Sequence, residues 1–286
     1  MTPENEKRAG DIPSVRRKAA SDFPFYLGLG VLAAFYVLLI AAMLAADVAY
    51  ALRERGAVFN VLLSEEIQAA VKLSLISCCI TTVLALWVAV PIGYLLSRLD
   101  FWGKSVVDTI LDIPIFLPPL VIGLSLLILF RQTPLRALDD AVGISLHRPA
   151  VVIAQFAVAA AFAVRTLRAT FDEISPRCEQ VALTLGCSRG QAFWNVVLPE
   201  AYRGVLTAGT LAWARSLGEF GPILVFAGST RMKTEVLPVS VHLELNTGNI
   251  EGAVGVSLLM VVVALTVLAL VRALGGSGPV FRRLGK

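Results

Sequence analysis

The sequence predicts an all-α, polytopic membrane protein with six transmembrane helices, and three observations predict it. Of 286 residues, 57% are hydrophobic and only 16% are charged, against about 25% charged in ordinary soluble proteins. A soluble globule of this length cannot hide so much apolar surface, so lipid is the solvent for most of the chain. Charge-free runs recur at bilayer length, and Lys and Arg fall unevenly between alternate loops. The same composition excludes disordered, collagen-like and disulfide-stapled classes. A net charge of +4 spread along the chain, with no basic patch of interleaved aromatics, argues against nucleic-acid binding.

About 20 residues at about 1.5 Å rise cross a core of roughly 30 Å, and a charge inside that core costs a few kcal/mol. The first span is placed at 23–46, a run free of charge. The second, 68–97, is charge-free from 73. The third, 108–130, is charge-free from 113 and extends back through Asp112 and Asp108, acids ordinary for a first helical turn. The fourth, 149–168, is charge-free to 164 and reaches full length if Arg165 and Arg168 snorkel to the interface. The fifth, 204–230, is apolar apart from Arg215 and Glu219. The sixth is placed at 250–272.

Sixteen of the 25 Lys and Arg residues lie in the N-terminal tail, the second and fourth loops and the C-terminal end, against seven in the opposite loops. By the positive-inside rule both termini are cytoplasmic. Residues 1–22 form a polar tail before a retained anchor, with no small-residue cleavage site after the apolar run. Residues 275–286 form a second short tail. Lys72, at the outer end of the second span, reads as a snorkelling anchor. Cys78, Cys79, Cys178 and Cys187 lack metal-ligand spacing, and with only His147 and His242 the expectation is no metal and no cofactor.

The connection 172–200 is the longest cytoplasmic loop and does not have a loop's composition. Pro176 can start a helix, and Glu179 in its first turn suits the dipole. Val181, Ala182, Leu183 and Leu185 give an apolar surface and Gly186 a break. A second stretch from Gln191 carries Phe193, Trp194, Val196, Val197 and Leu198 until Pro199 ends it. Two short helices hinged at a glycine make a knob, which either lies on the lipid as an amphipathic hairpin or docks a soluble partner.

Gln180-Val181-Ala182, three residues, Gly186, nine residues, then Val196-Val197-Leu198-Pro199 resembles the EAA loop of ABC importer permeases. That pattern is Glu-Ala-Ala, three residues, Gly, nine residues, Ile, one residue, Leu-Pro. Gln180 stands where the family usually has Glu, with Glu179 just before it, and Val181 and Val196 replace Ala and Ile. Trp213-Ala214-Arg215-Ser216-Leu217-Gly218-Glu219-Phe220-Gly221, Val225-Phe226-Ala227-Gly228, Thr234-Glu235-Val236-Leu237-Pro238 and the proline-rich stretch 114–124 resemble the molybdate, tungstate and sulfate branch. The similarity covers roughly 65–272.

The resemblance implies a type I ABC importer permease fold and a coupling loop, 172–200, that fits a groove on an ATPase subunit. Glu179, Gln180, Ala182, Gly186, Leu198 and Pro199 would carry that docking, with Ala182 and Gly186 kept small so that the knob can enter. It also implies two permease copies, expected as a homodimer, two ATPase subunits, a periplasmic substrate-binding protein and a place in the bacterial cytoplasmic membrane. The cargo it implies is molybdate or tungstate. Sulfate or thiosulfate, or another small solute such as iron or phosphate, are the alternatives.

The residues of the broken spans fit a transport path on their own physics. Pro114, Pro118 and Pro119 leave carbonyls that lipid cannot satisfy, tolerable only against protein or a wet cavity. Gly218, Gly221 and Pro222 make a similar break beside Arg215 and Glu219, four residues apart on one helix face. An intramembrane ionisable pair is a functional candidate, here for gating; the plain alternative is a salt bridge tying the fifth span to a neighbour. No Gly-x-x-x-x-Gly-Lys-Ser/Thr, Gly-x-Ser-x-Gly or His-Glu-x-x-His occurs, so the chain is expected to be no enzyme and to take its energy from a partner. A membrane sensor or enzyme subunit would need His, Asp or Ser clusters that the spans lack. A secondary transporter would need repeats and coupling carboxylates, where only Glu219 qualifies.

Overall fold

A computed structural model describes residues 23–275, and within them every regular element is helical. The expected tail 1–22 and, of the second tail, residues 276–286 lie outside the described residues. The chain divides into two units, one ending at Ala49 and the other beginning at Tyr50. The helices are α1 Phe23–Arg53, α2 Arg55–Leu62, α3 Glu65–Arg98, α4 Lys104–Phe116, α5 Pro119–Phe130, α6 Leu135–Val142, α7 Arg148–Glu173, α8 Pro176–Thr184, α9 Arg189–Ala192, a π-helical turn Phe193–Val197, α10 Leu198–Glu200, α11 Tyr202–Leu217, α12 Gly221–Phe226, α13 Leu237–Asn246 and α14 Ile250–Gly275.

Four helices, α1, α3, α7 and α14, are long and apolar enough to cross a membrane, and the pair α4–α5 makes five if it counts as one span. Six continuous spans are therefore not found among the described residues. The third expected span is bent by 112° between Phe116 and Pro119, because Pro118 and Pro119 cannot donate to the preceding turn and Leu117 is driven into extended backbone. The fifth is shorter than expected. α11 stops at Leu217, and after a break at 218–220 the six-residue α12 ends at Phe226.

The core of the second unit is built on α3 and α7, which run side by side in the same direction. Thr81 meets Val152 and Gln155 near one end, and Gly93 meets Leu167 and Arg168 near the other. α7 is slim on both of its buried faces: Ala159 and Ala163 are fully buried beside α3, and Ala150 and Ala154 beside α5 and α12. α11 closes on both helices with its own Ala208 and Ala212, and with Phe171 and Leu167 they form one apolar cluster. A second cluster joins α5, α7 and α12 through Phe130, Val151, Ile223 and Phe226. A third joins α3, α11, α13 and α14 through Ile67, Trp213, Leu237 and Val256.

Several polar groups inside this apolar frame are paired across helices. Gln155, 1% exposed, shares a hydrogen bond with Thr81 Oγ1 at 3.1 Å and donates to the Ser216 carbonyl at 3.1 Å. It thereby ties α3, α7 and the end of α11. Ser74 of α3 accepts from the Leu237 N–H at 2.8 Å, satisfying a first-turn donor of α13 that lipid could not.

Candidate functional site: a helical knob and two broken helices

The knob forms much as the sequence indicates. Ser175 and Ser188 cap α8 and α9, the latter in a reciprocal capping box with Gln191. Gly186, the hinge, adopts φ +89°, a left-handed conformation that strains any residue bearing a Cβ. Pro199, however, does not end the second helix. A π-helical turn at Phe193–Val197 widens the coil just ahead of it, and α10 carries on through Pro199 to Glu200. Such a turn relieves the clash and missing donor that an interior proline brings.

Glu179 does not face outward for a partner. Its carboxylate accepts a hydrogen bond from Tyr94 Oη at 2.6 Å and lies 3.5 Å from Arg98 Nε, each side chain of that ion pair being 12% exposed. Arg98 also donates to the carbonyls of Phe171 and Ile174. The knob is thus fastened to the end of α3 and to the turn after α7. Ala182 is buried, so its small size serves packing within the knob. Leu198 is half-buried, while Gln180, Gly186 and Pro199 are exposed. The outward surface is apolar: Val181 is 57%, Leu185 79% and Trp194 65% exposed.

Asp108 and Asp112 are not simply first-turn acids, and Arg165 and Arg168 have acidic partners. Across the α4–α7 contact Arg168 donates to Asp108 and Arg165 to Asp112, and Arg168 reaches Asp172 as well at 3.8 Å. These pairs fasten the first arm of the bent helix to the end of α7 that feeds the knob.

Among the broken helices, the structure brings together residues from the third and fifth expected spans. A Cβ on Gly221 would lie 3.0 Å from Pro119 Cβ and 3.1 Å from Leu120 N. A Cβ on Gly123 would lie 2.8 Å from Pro222 Cα. The two segments therefore touch through their glycines and prolines, near van der Waals limits. Pro118 is the N-terminal flank of α5. Arg215 and Glu219 form an ion pair at 2.6 Å, with Glu219 1% and Arg215 28% exposed, and the guanidinium lies 5.7 Å from the Phe162 ring centre. Gly218 closes α11, its N–H bonded to the Ala214 carbonyl.

Sequence reasoning missed Tyr94, Arg98, Gly123 and Gln155. Only Gln155 carried a visible signal, as an amide in an otherwise apolar run that must find partners. Beyond Arg231, which donates to Glu244 at 2.8 Å, Glu235 is buried with neither carboxylate oxygen hydrogen-bonded, and burial raises its carboxyl above the usual range. Asp139 moves the other way: accepting from the Ser145 and Ile144 N–H groups lowers it. Among the described residues no cluster of His, Cys, Asp or Glu could hold a metal ion.

The family described as the binding-protein-dependent transport system inner membrane component matches residues 89–276. The molybdate/tungstate transport system permease protein WtpB of Thermococcus kodakarensis is 37% identical over 158 residues, which are 55% of this chain and 60% of that protein. The match thus spans less than two thirds of that relative's length. The sulfate transport system permease protein CysT of Escherichia coli is 30% identical over 250 residues, 85% of this chain and 90% of that one. A crystal structure of a bacterial ABC transporter involved in importing the acidic polysaccharide alginate has the same fold, with a TM-score of 0.71 at 17% identity over 93% of this chain and 97% of that one. The chain belongs to the family of binding-protein-dependent transport system inner membrane components.

Proposed function

We propose that this chain is the permease subunit of an ATP-driven ABC importer that carries molybdate or tungstate across the cytoplasmic membrane. Two copies would line a path on their twofold axis, two ATPase subunits would bind beneath, and a periplasmic protein would deliver the oxyanion. The six spans of this reading are α1, α3, the bent pair α4–α5, α7, the broken pair α11–α12, and α14, with both termini cytoplasmic. Residues 172–200 are the coupling loop.

The observation that carries it is the knob: an apolar outward face of Val181, Leu185 and Trp194, on two short helices hinged at a left-handed Gly186 and fastened from behind by Glu179. A face so apolar on the polar side of a membrane calls for a partner's groove. In this reading Gln180, Gly186, Leu198 and Pro199 shape the docking surface. Glu179 and Ala182 hold the knob in its pose and transmit its movement into α3 and α7. Arg215, Gly218, Glu219, Gly221, Pro118 and Pro119 form the gate. The Arg215–Glu219 pair is neutral as a unit, which suits gating better than tight capture of a dianion. Identity to the molybdate/tungstate permease, 37%, supports the cargo. A sulfate reading draws on CysT, at 30% identity but over 90% of its length.

The test is uptake of labelled molybdate at nanomolar concentration in cells with and without the gene, with excess sulfate as competitor. Gene-dependent uptake that sulfate does not displace supports the proposal; gene-independent uptake removes molybdate, and labelled sulfate is then the substrate to try. Leu185→Asp should abolish uptake while leaving the amount of protein in the membrane unchanged. Normal uptake in that variant would refute the docking surface.

A further inference from the structure

We propose that a cavity between the outer ends of α3 and α7 binds a phospholipid whose headgroup carries both a phosphate and a primary ammonium, as phosphatidylethanolamine does. The placement in the outer leaflet rests on the orientation given above; the chemistry does not.

The cavity is about 550 Å³, and its lining combines three kinds of surface: the cations Lys72 and Arg148, the acid Glu235, and an apolar wall that includes Ile76, Ile80 and Val152. Lys72, Ile76 and Ile80 are successive i, i+4 positions and so form one stripe down α3. From the first to the last the helix descends roughly 12 Å, most of one leaflet's share of a core about 30 Å thick. Arg148 opens α7, which runs parallel to α3, and its Nε is held at 3.4 Å from the Lys233 carbonyl. Both cations thus line one cavity at the same end of α3 and α7, with the Ile76–Ile80 stripe continuing below Lys72 as an acyl-chain groove.

Glu235 makes the headgroup specific. It is 1% exposed, and neither oxygen has a hydrogen-bond partner. Ser240 and the Met232 N–H stand close by without reaching hydrogen-bond geometry, and the Ser240 hydroxyl donates to the Val236 carbonyl instead. The nearby Arg231 guanidinium is bonded to Glu244. A buried carboxylate without donors is expensive to keep; a primary ammonium brings three donors and the matching charge. A quaternary ammonium brings the charge with no N–H, and a glycerol headgroup brings no charge.

Native mass spectrometry of the purified permease, incubated with equal amounts of phosphatidylethanolamine, phosphatidylcholine and phosphatidylglycerol, reads this directly and needs no transport. Wild type should retain the ethanolamine lipid about tenfold over the choline lipid, the worth of one charge-assisted hydrogen bond. Glu235→Gln should bring that ratio close to one, and Lys72→Ala with Arg148→Ala should lower retention of all three. Equal retention of ethanolamine and choline lipids by wild type overturns the proposal even if no variant folds. So does an unchanged ratio in Glu235→Gln, displacement by inorganic phosphate, or a permease dimer that retains no lipid, which would assign the groove to a second copy. In cells, Met232→Cys, in a chain with Cys79, Cys178 and Cys187 replaced by Ala, should react with an impermeant maleimide from outside. Reaction only after permeabilisation overturns the outer-leaflet placement and the orientation with it, leaving the headgroup preference to be judged on the lipid ratios.

Discussion

Replacing Gly123 by Ala puts a methyl group where the two broken segments cross. Its Cβ would lie 2.8 Å from Pro222 Cα, 2.9 Å from the Pro222 carbonyl oxygen and 3.0 Å from Val225 Cβ. Carbon atoms in good contact settle about 3.5–4.0 Å apart, so α5 or α12 must retreat by roughly 0.5–1 Å. The obstructing atoms are mostly backbone, in a buried proline that cannot rotate aside. Overpacking of this kind costs about 1–3 kcal/mol, and about 1 kcal/mol shifts the midpoint by about 2–4 °C in chains of comparable size. Gly123→Ala should therefore lower the Tm of the detergent-solubilised permease by about 2–12 °C. It should also slow uptake, because the retreat opens the Pro119–Gly221 contact in the same junction. Gly56→Ala in α2, where nothing lies within 4 Å of the added carbon, is the control and should raise Tm by about 2–4 °C at most, since helix propensity alone is at stake. Equal Tm values for the two variants would refute the crossing as described.

Reversing Asp108 to Arg should weaken uptake by facing it with Arg168, and adding Arg168→Asp should restore part of it, incompletely because Arg168 also serves Asp172; a double variant no better than the singles would show that the pair does not join α4 to α7. The thermodynamic effect of the pair is about 1 kcal/mol or less, since both side chains are partly exposed, so uptake is the more sensitive readout. Gly186→Ala should cost about 1–2 kcal/mol of local stability through its φ of +89° and not through crowding, as nothing lies within 4 Å; limited proteolysis of the knob should accelerate to a similar degree in Gly186→Ala and the unbranched Gly186→Gln, and a much larger effect of Gln would point to a steric cause. Asp139 has a lowered pKa in the folded chain, so its contribution is present above the ordinary carboxylate value of about 4 and is lost as pH falls below it. Amide exchange at Ile144 and Ser145, corrected for intrinsic rates, should rise in that window in wild type and already be raised at pH 7 in Asp139→Ala.

The long helices were legible because a charge-free run of bilayer length has few other uses: the expected 68–97 became α3, 149–168 became α7 and 250–272 became α14, each with ends displaced by a few residues. The breaks were legible in kind but not in extent. Pro118 and Pro119 announce an interrupted helix, yet a bend of 112° depends on what the second arm packs against, here α12. Pro199 misled because the sequence carries no mark of the π-helical turn that accommodates it. Charges misled most. Asp108, Asp112, Arg165 and Arg168 each have an adequate local account, and only folding shows that they answer one another across two helices about 60 residues apart in sequence. Glu179 likewise reads as a surface group until α3 supplies Tyr94 and Arg98.

The slimness of α7 also sets how such a protein can change over generations. At Ala150, Ala154, Ala159 and Ala163 even one added methylene displaces neighbours that are themselves immobilised, so drift there is penalised from several sides at once. A collection of functional variants made at random would thus show these four positions, on two opposite faces of α7, as a gap in the record of accepted changes.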